Sequence, residues 1–194
     1  MTRLLVAISL LIGFQAQAKV QCGNGVSFDK SITVTDDAQG DVPLVLNGVG
    51  KKRVLFFDVF YAALYLEEVS TDAVEILDSE QLKVGIIHAT RNITKKQLTD
   101  LFDEEYQRLC DDKCEEMLPA HEKFMSYARA VKKNERLALI LFADRFEFEI
   151  NQNEFFDPIY DVDYADFLSR MLIGPEAADD KLKDGLLGKT QICR

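Results

Sequence analysis

The longest apolar run past the N-terminus covers residues 54–66, where Asp58 is the one charged residue. Both alternating faces of this run are apolar. Leu55, Phe57, Val59 and Tyr61 fall on one, and Val54, Phe56, Phe60, Ala62 and Leu64 on the other. A strand that is apolar on both faces is covered on both, so the pattern predicts a central strand. Upstream, residues 42–47 read as a short strand. The Gly48-Val49-Gly50 step after it reads as a tight turn, because glycine takes positive φ without steric cost. The pair Ala62-Ala63 marks a place where a helix or a ligand packs closely.

The remaining pattern alternates between the two periods. Residues 31–35 predict an edge strand and residues 36–41 a turn. Residues 71–79 predict a short helix, and residues 83–90 a strand. Residues 94–109 are the clearest helix. Thr94 and Gln97 form a capping box, and Leu98, Leu101, Phe102 and Leu109 fall on one stripe that also takes in Glu105. Pro119 suits a first helical position, which places a second helix at residues 119–133 with Phe124, Met125, Ala128 and Val131 inward. Residues 136–142 and 145–150 are two strands. The second alternates Phe146, Phe148 and Ile150 against Glu147 and Glu149, as a strand near a sheet edge does, and residues 153–156 extend the meander. Helices follow at residues 163–173, stopped by Gly174-Pro175, and at residues 179–187. This is one α+β domain with no internal repeat or linker.

The first eighteen residues stand apart. Arg3, an eleven-residue apolar run and Ala16-Gln17-Ala18 make a secretory signal cut after Ala18, leaving residues 19–194 as the single domain. No later run reaches the length of a membrane span. The whole chain carries a net charge of −10. The predicted mature form, with 22 cations against 33 acids, carries −11. An acidic chain repels nucleic acid and anionic membrane, which discounts both as partners. Four cysteines in an exported protein suggest two disulfides, and they allow three pairings. The favoured pairing joins Cys22 to Cys193, tying the two ends together, and Cys110 to Cys114 locally. The local pair requires the helix to break at Asp111-Asp112-Lys113, since a four-residue spacing on a regular helix strains the bridge.

No nucleophile elbow, phosphate loop, dinucleotide fingerprint or zinc-protease motif occurs, and no cofactor is expected. His88 and His121 have no ligand partner in sequence and read as structural or surface residues. Asp157, Asp161, Asp163 and Asp166 lack the glycine and terminal glutamate of a calcium loop, so no metal site is expected there. That leaves the cations Lys51, Lys52 and Arg53, which stand just before the apolar strand. A guanidinium at the mouth of an apolar cavity can anchor a carboxylate, whereas at a turn the same group sits in water.

At this stretch the chain resembles the chalcone isomerase-like family, in its exported bacterial branch. The resemblance rests on LVLNGVGKKR, FFDVFYAALYL, IIHATRNITKKQLTDLF and FLSRMLIGPEAADDKLKDGLLG, in that order, over residues 42–188. It implies an open-faced β-sandwich, a large antiparallel sheet with a layer of helices on one face, and a ligand cleft between them. It also implies a periplasmic protein. True isomerases of the family use an arginine after the glycine turn, a threonine on the central strand, and a tyrosine, a lysine and an asparagine on one helix. The arginine falls at Arg53 or Lys52. The threonine position is taken by Phe60, with Tyr61 one place away. The helix positions are Leu98, Leu101 and Glu105. At most one catalytic group survives, which leans against an enzyme, because leucines neither orient a water nor stabilise an enolate. The family geometry also predicts that Arg53 and Glu105 point into the cleft and pair.

Three readings follow, in order of preference. The first is a binding protein for an apolar or amphipathic small molecule such as a fatty acid, with Arg53, Lys52, Phe60, Tyr61, Leu98, Leu101 and Glu105 as candidate site residues. The second is a structural or interaction protein with a filled cleft. The third is a lyase or isomerase with other catalytic groups.

Overall fold

The computed structural model describes residues 18–36 and 40–194. Residues 1–17 of the expected signal segment, and the middle of the turn expected at residues 36–41, lie outside the described residues. Strands β1 (Lys19–Gln21) and β2 (Ser27–Asp29) form a small two-stranded ribbon. The main chain path then runs through β3 (Ser31–Asp36), β4 (Gly40–Val54), β5 (Phe57–Leu66), helix α1 (Ala73–Asp78) and β6 (Lys83–Ala89). Helices α2 (Lys95–Leu109) and α3 (Cys114–Tyr127) follow, then β7 (Arg136–Leu141), β8 (Phe146–Ile150) and β9 (Glu154–Phe155), and finally α4 (Val162–Ile173) and α5 (Asp180–Leu186). The seven strands β3 to β9 pair antiparallel in sequence order. The helices lie on one face of this sheet, which is the expected α+β layering.

The central strand is β5, covered on both faces. Ala62, Leu64 and Leu66 pack with Ile173, Leu186 and Leu187 on the helix side. Tyr61, Ala63 and Tyr65 pack on the other side with Phe28 of the ribbon and Cys193 of the C-terminal tail. The Cys22–Cys193 disulfide holds this second cover in place, and the backbone of Gln21 and Arg194 hydrogen-bonds beside it. The Cys110–Cys114 disulfide is also present, and it sits where α2 stops. A 3-10 turn, Asp111–Lys113, separates α2 from α3, with Asp111 at φ 51°. That is the helix break the local bridge requires.

The step Gly48-Val49-Gly50 is not a turn. β4 runs straight through it, and neither glycine has positive φ. Both are small because α5 lies directly against them. A Cβ on Gly48 would stand 2.3 Å from the Gly185 carbonyl oxygen, and one on Gly50 2.3 Å from that of Leu182. The reversal comes later, at Leu55-Phe56, between Val54 and its partner Phe57.

Pro119 does not start a helix either. It lies inside α3, which begins at Cys114 and ends at Tyr127. The chain leaves the helix at Ala128, whose backbone is extended, and Val131 beyond it pairs with Ile93 as an isolated bridge. The capping box at Thr94 and Gln97 is present at the start of α2. Asp161 and Asp179 cap α4 and α5, which explains their place ahead of each helix.

Candidate functional site

The sheet presents Phe60, Ala62 and Leu64 of β5, Ile87 of β6, Leu137 and Leu139 of β7 and Phe148 of β8 to the helix layer. Leu98 and Phe102 of α2, Phe124 and Met125 of α3 and Leu172 of α4 face them across a cleft. Two recesses remain in it. The larger has a cavity volume of about 30 Å3, the smaller about 10 Å3, and they share Ile87 and Leu139 as a common wall. A water needs at least about 10–15 Å3 of such space, so the recesses are no more than water-sized, and their apolar lining offers a water no partners. No charged or hydrogen-bonding side chain lines either recess. A cleft of this composition has no group to move a proton.

The partly exposed members of the larger recess are Ile87 on the sheet side and Leu98, Met125 and Ala128 on the helix side. The last three mark its mouth, between the first turns of α2 and the end of α3. Ile93 and Val131, just beyond those two helix ends, hydrogen-bond to each other. The mouth therefore opens at the same end of the sheet as the β4–β5 reversal.

The structure divides the expected site residues. Leu98 lines the larger recess, and Phe60 is on the helix face, packed beside Ala62 and Leu64. Tyr61 is on the opposite face. It is buried against the ribbon, with its hydroxyl donating to Asp58 at 3.3 Å. Burial and then the Asp58 charge push its pKa above the usual tyrosine value. Leu101 is 40 % exposed and outside the cleft. The buried residues of α2 are Phe102, Glu105, Tyr106 and Leu109, so the stripe is centred one position beyond Leu101.

The expected Arg53–Glu105 pair does not form. Arg53 is exposed and its Nε lies 3.0 Å from Asp58, which also faces Lys51 at 3.4 Å. A register shift between Lys52 and Arg53 puts both neighbours of Lys52 beside that one carboxylate. Glu105 is buried, but it pairs with Arg108 of its own helix. Lys52, opposite Phe60 in register, is the cation on the helix face, and it meets Asp179 at 3.0 Å. Burial alone would raise the Asp179 pKa. The Leu182 N–H, then Lys52, hold it below the usual carboxylate value.

One polar cluster was not legible in the sequence. His121 is buried, with Nδ1 2.8 Å from the Tyr164 hydroxyl and Nε2 2.8 Å from Asp103. Tyr106 stacks on its ring at 4.0 Å. Burial, above all other causes, pushes the Tyr164 hydroxyl above the usual tyrosine value. The cluster joins α2, α3 and α4, and none of its residues lines the recesses. Its partners are 18 and 43 residues away in sequence, which is why no local spacing reveals it.

A seven-stranded meander with a helix layer and a dry cleft matches the expected architecture, and the sequence itself fits the chalcone isomerase-like family over residues 21–188. The chain belongs to the chalcone isomerase-like family. Among solved structures, it is similar to the crystal structure of an Arabidopsis thaliana fatty-acid binding protein. The TM-score is 0.63 at 14 % identity, over 89 % of this chain and 97 % of that one. No curated protein matches it in sequence. Three residues of this chalcone isomerase-like chain that were expected to face the cleft are Phe60, Leu98 and Leu101. Only the first two of these face the helix–sheet interior.

Proposed function

We propose that this chalcone isomerase-like protein is a non-catalytic binding protein, exported to the periplasm, that takes a small apolar or amphipathic molecule such as a fatty acid into the sheet–helix cleft. The observation that carries the reading is the wholly apolar lining of two adjoining recesses in the cleft. The fold neighbour that binds fatty acids supports it. Entry requires the mouth to widen. Leu98 is half-buried, and Met125, with three rotatable bonds, repacks at low cost. The polar end of the ligand stays outside, because no group within the cleft replaces its hydration.

Titration with a fluorescent fatty acid tests this. Saturable binding that weakens when Leu98→Gln places an amide at the mouth is the expected result. Absence of saturable binding contradicts it. A second reading is favoured by one observation, the small volume of the recesses: a protein whose cleft is simply filled and which acts through its surface. Under that reading Leu98→Gln alters stability alone. Export predicts a purified protein whose intact mass begins at Lys19.

A further inference from the structure

The tip of the β4–β5 hairpin is built against the ordinary rules for a loop. Val54, Leu55, Phe56 and Phe57 stand together with exposures of 53, 84, 87 and 55 %. Tight hairpin turns select glycine or asparagine because of their positive φ. Here the first turn residue is Leu55, at φ 55°, a left-handed conformation that a branched side chain adopts with strain. Nothing in the fold explains either choice. No element covers the tip, and a polar or glycine turn would close the same hairpin. Among the described residues, exposed apolar side chains such as Val74 and Leu118 stand singly, and Phe155, Tyr160 and Val162 are interspersed with polar residues, whereas the tip presents four apolar side chains in unbroken succession.

The surroundings of the tip are cationic although the chain is acidic. Arg91 lies over the Phe57 ring, with its guanidinium carbon 4.4 Å from the centroid. Arg53 flanks the turn on the β4 side. The Arg91 loop is held to the start of β5, where Thr90 donates to the Val59 and Asp58 carbonyls. It is held to the next loop by Lys133, whose backbone N–H donates to Asn92. That places exposed Lys132 and Lys133 at the same end of the sheet. Asp58 offsets one cation of this group, and Arg129 and Lys132 N–H hold Glu135. Net positive charge therefore remains at this end in a chain whose total is −10.

We propose that the β4–β5 tip docks the protein on an anionic lipid surface, with Leu55, Phe56 and Phe57 entering the headgroup–acyl boundary and Arg53, Arg91, Lys132 and Lys133 meeting the phosphates. The tip is convex and narrow. A bilayer accepts such a wedge anywhere, whereas a protein partner must supply a matching pocket. Reversible surface binding needs two signals, apolar insertion and a basic patch, and both are present at one end of the sheet. The chain-wide negative charge does not oppose this, because charges beyond a Debye length, about 8 Å in physiological salt, are screened. The proposal goes beyond ligand binding and does not depend on it.

Co-sedimentation with vesicles of equal parts phosphatidylglycerol and phosphatidylcholine, against pure phosphatidylcholine, tests it. The protein sediments with the anionic vesicles. The double variant Leu55→Ser/Phe56→Ser loses binding by about tenfold or more, and Arg91→Gln weakens it several-fold and reduces its salt dependence. All these side chains are exposed, so each variant keeps the circular dichroism spectrum and melting behaviour of the parent. Three outcomes overturn the proposal. They are no sedimentation, sedimentation unchanged by the double variant, and a concentration-dependent dimer in ultracentrifugation that the double variant abolishes while vesicle binding is absent.

Discussion

The β4–β5 hairpin is one apolar stretch with two fates. Its inner half, around Gly48, Gly50 and Ala62–Leu66, is closed on both sides. α5 rests on the β4 backbone, and the ribbon with the C-terminal tail covers the other face. Its outer half, Val54–Phe57, carries the bulkier side chains and is open to water. The difference lies in side-chain volume along β4. Where Cβ atoms are missing, a helix approaches to backbone contact. Where phenylalanine and leucine follow one another, no element of the fold comes near. Hydrophobicity alone does not say which part of a strand becomes core.

The comparison can be broken first at the inner half. Gly50→Ala places a Cβ against the Leu182 carbonyl, which is backbone and cannot step aside without moving α5. We expect a loss of about 2–3 kcal/mol in urea unfolding, at the upper end of the class of overpacked core sites. A loss below about 1 kcal/mol would show that α5 does not sit on β4 as described.

The cleft sharpens the contrast at smaller cost. Met125→Ala enlarges the 30 Å3 recess at its mouth. We expect about 1–2 kcal/mol of lost stability, below the range for a fully buried methionine because Met125 is partly exposed, together with stronger uptake of a fluorescent fatty acid. Loss of stability with no change in uptake would favour the filled-cleft reading.

At the outer half the sign reverses. Leu55→Gly relieves a left-handed backbone that glycine adopts freely, so the melting temperature rises, by up to about 1 kcal/mol of stability after the entropy cost of glycine. Phe56→Ser, with its ring in water, leaves stability unchanged within about 0.5 kcal/mol. A clear loss in either variant would mean that the tip is part of the packed structure.

The smallest effect concerns pH. His88 is opposite Tyr61 in β5, and its Nδ1 lies 3.3 Å from the Arg136 Nε. Burial, then the Arg136 charge, hold its pKa below the usual histidine value. Its folded form therefore resists protonation. The contribution of His88 is complete above about pH 6.5 and is lost as pH falls through the lower folded value. The variant His88→Gln should flatten the stability profile on that acid side and leave it unchanged at pH 8. An unaltered profile would show that His88 is not held neutral.

Much of the architecture was legible. The capping box of Thr94 and Gln97 and the alternation in β8 each carry a local signature and stand where the pattern put them. The two-sided apolar run is a central strand only from Phe57 to Leu66, because its first residues, Val54–Phe56, end β4 and make the reversal. The disulfides were legible because few pairings exist for four cysteines. The glycine step was misread because glycine has two uses, positive φ and close approach, and only tertiary packing distinguishes them. Pro119 was misread for a similar reason, since a proline accepted inside α3 looks like a helix start when neighbours are unknown. Of the candidate site residues, Leu98 lines the larger recess and Phe60 lies on the helix face, whereas strand parity puts Tyr61 on the opposite face and one step around the helix puts Leu101 outside. The partner of Arg53 was out of reach because a bulge decides it, whereas the i to i+3 pair of Glu105 with Arg108 is a local helix spacing that the expected Arg53 pairing passed over.

The most direct test of ligand binding in the cleft is native mass spectrometry of the protein purified from its own cells, followed by lipid extraction. The account predicts a bound molecule with an aliphatic chain, released on denaturation and retained more strongly by Met125→Ala. A protein that appears only at its own mass, and stays there when saturated with fatty acid, would contradict it.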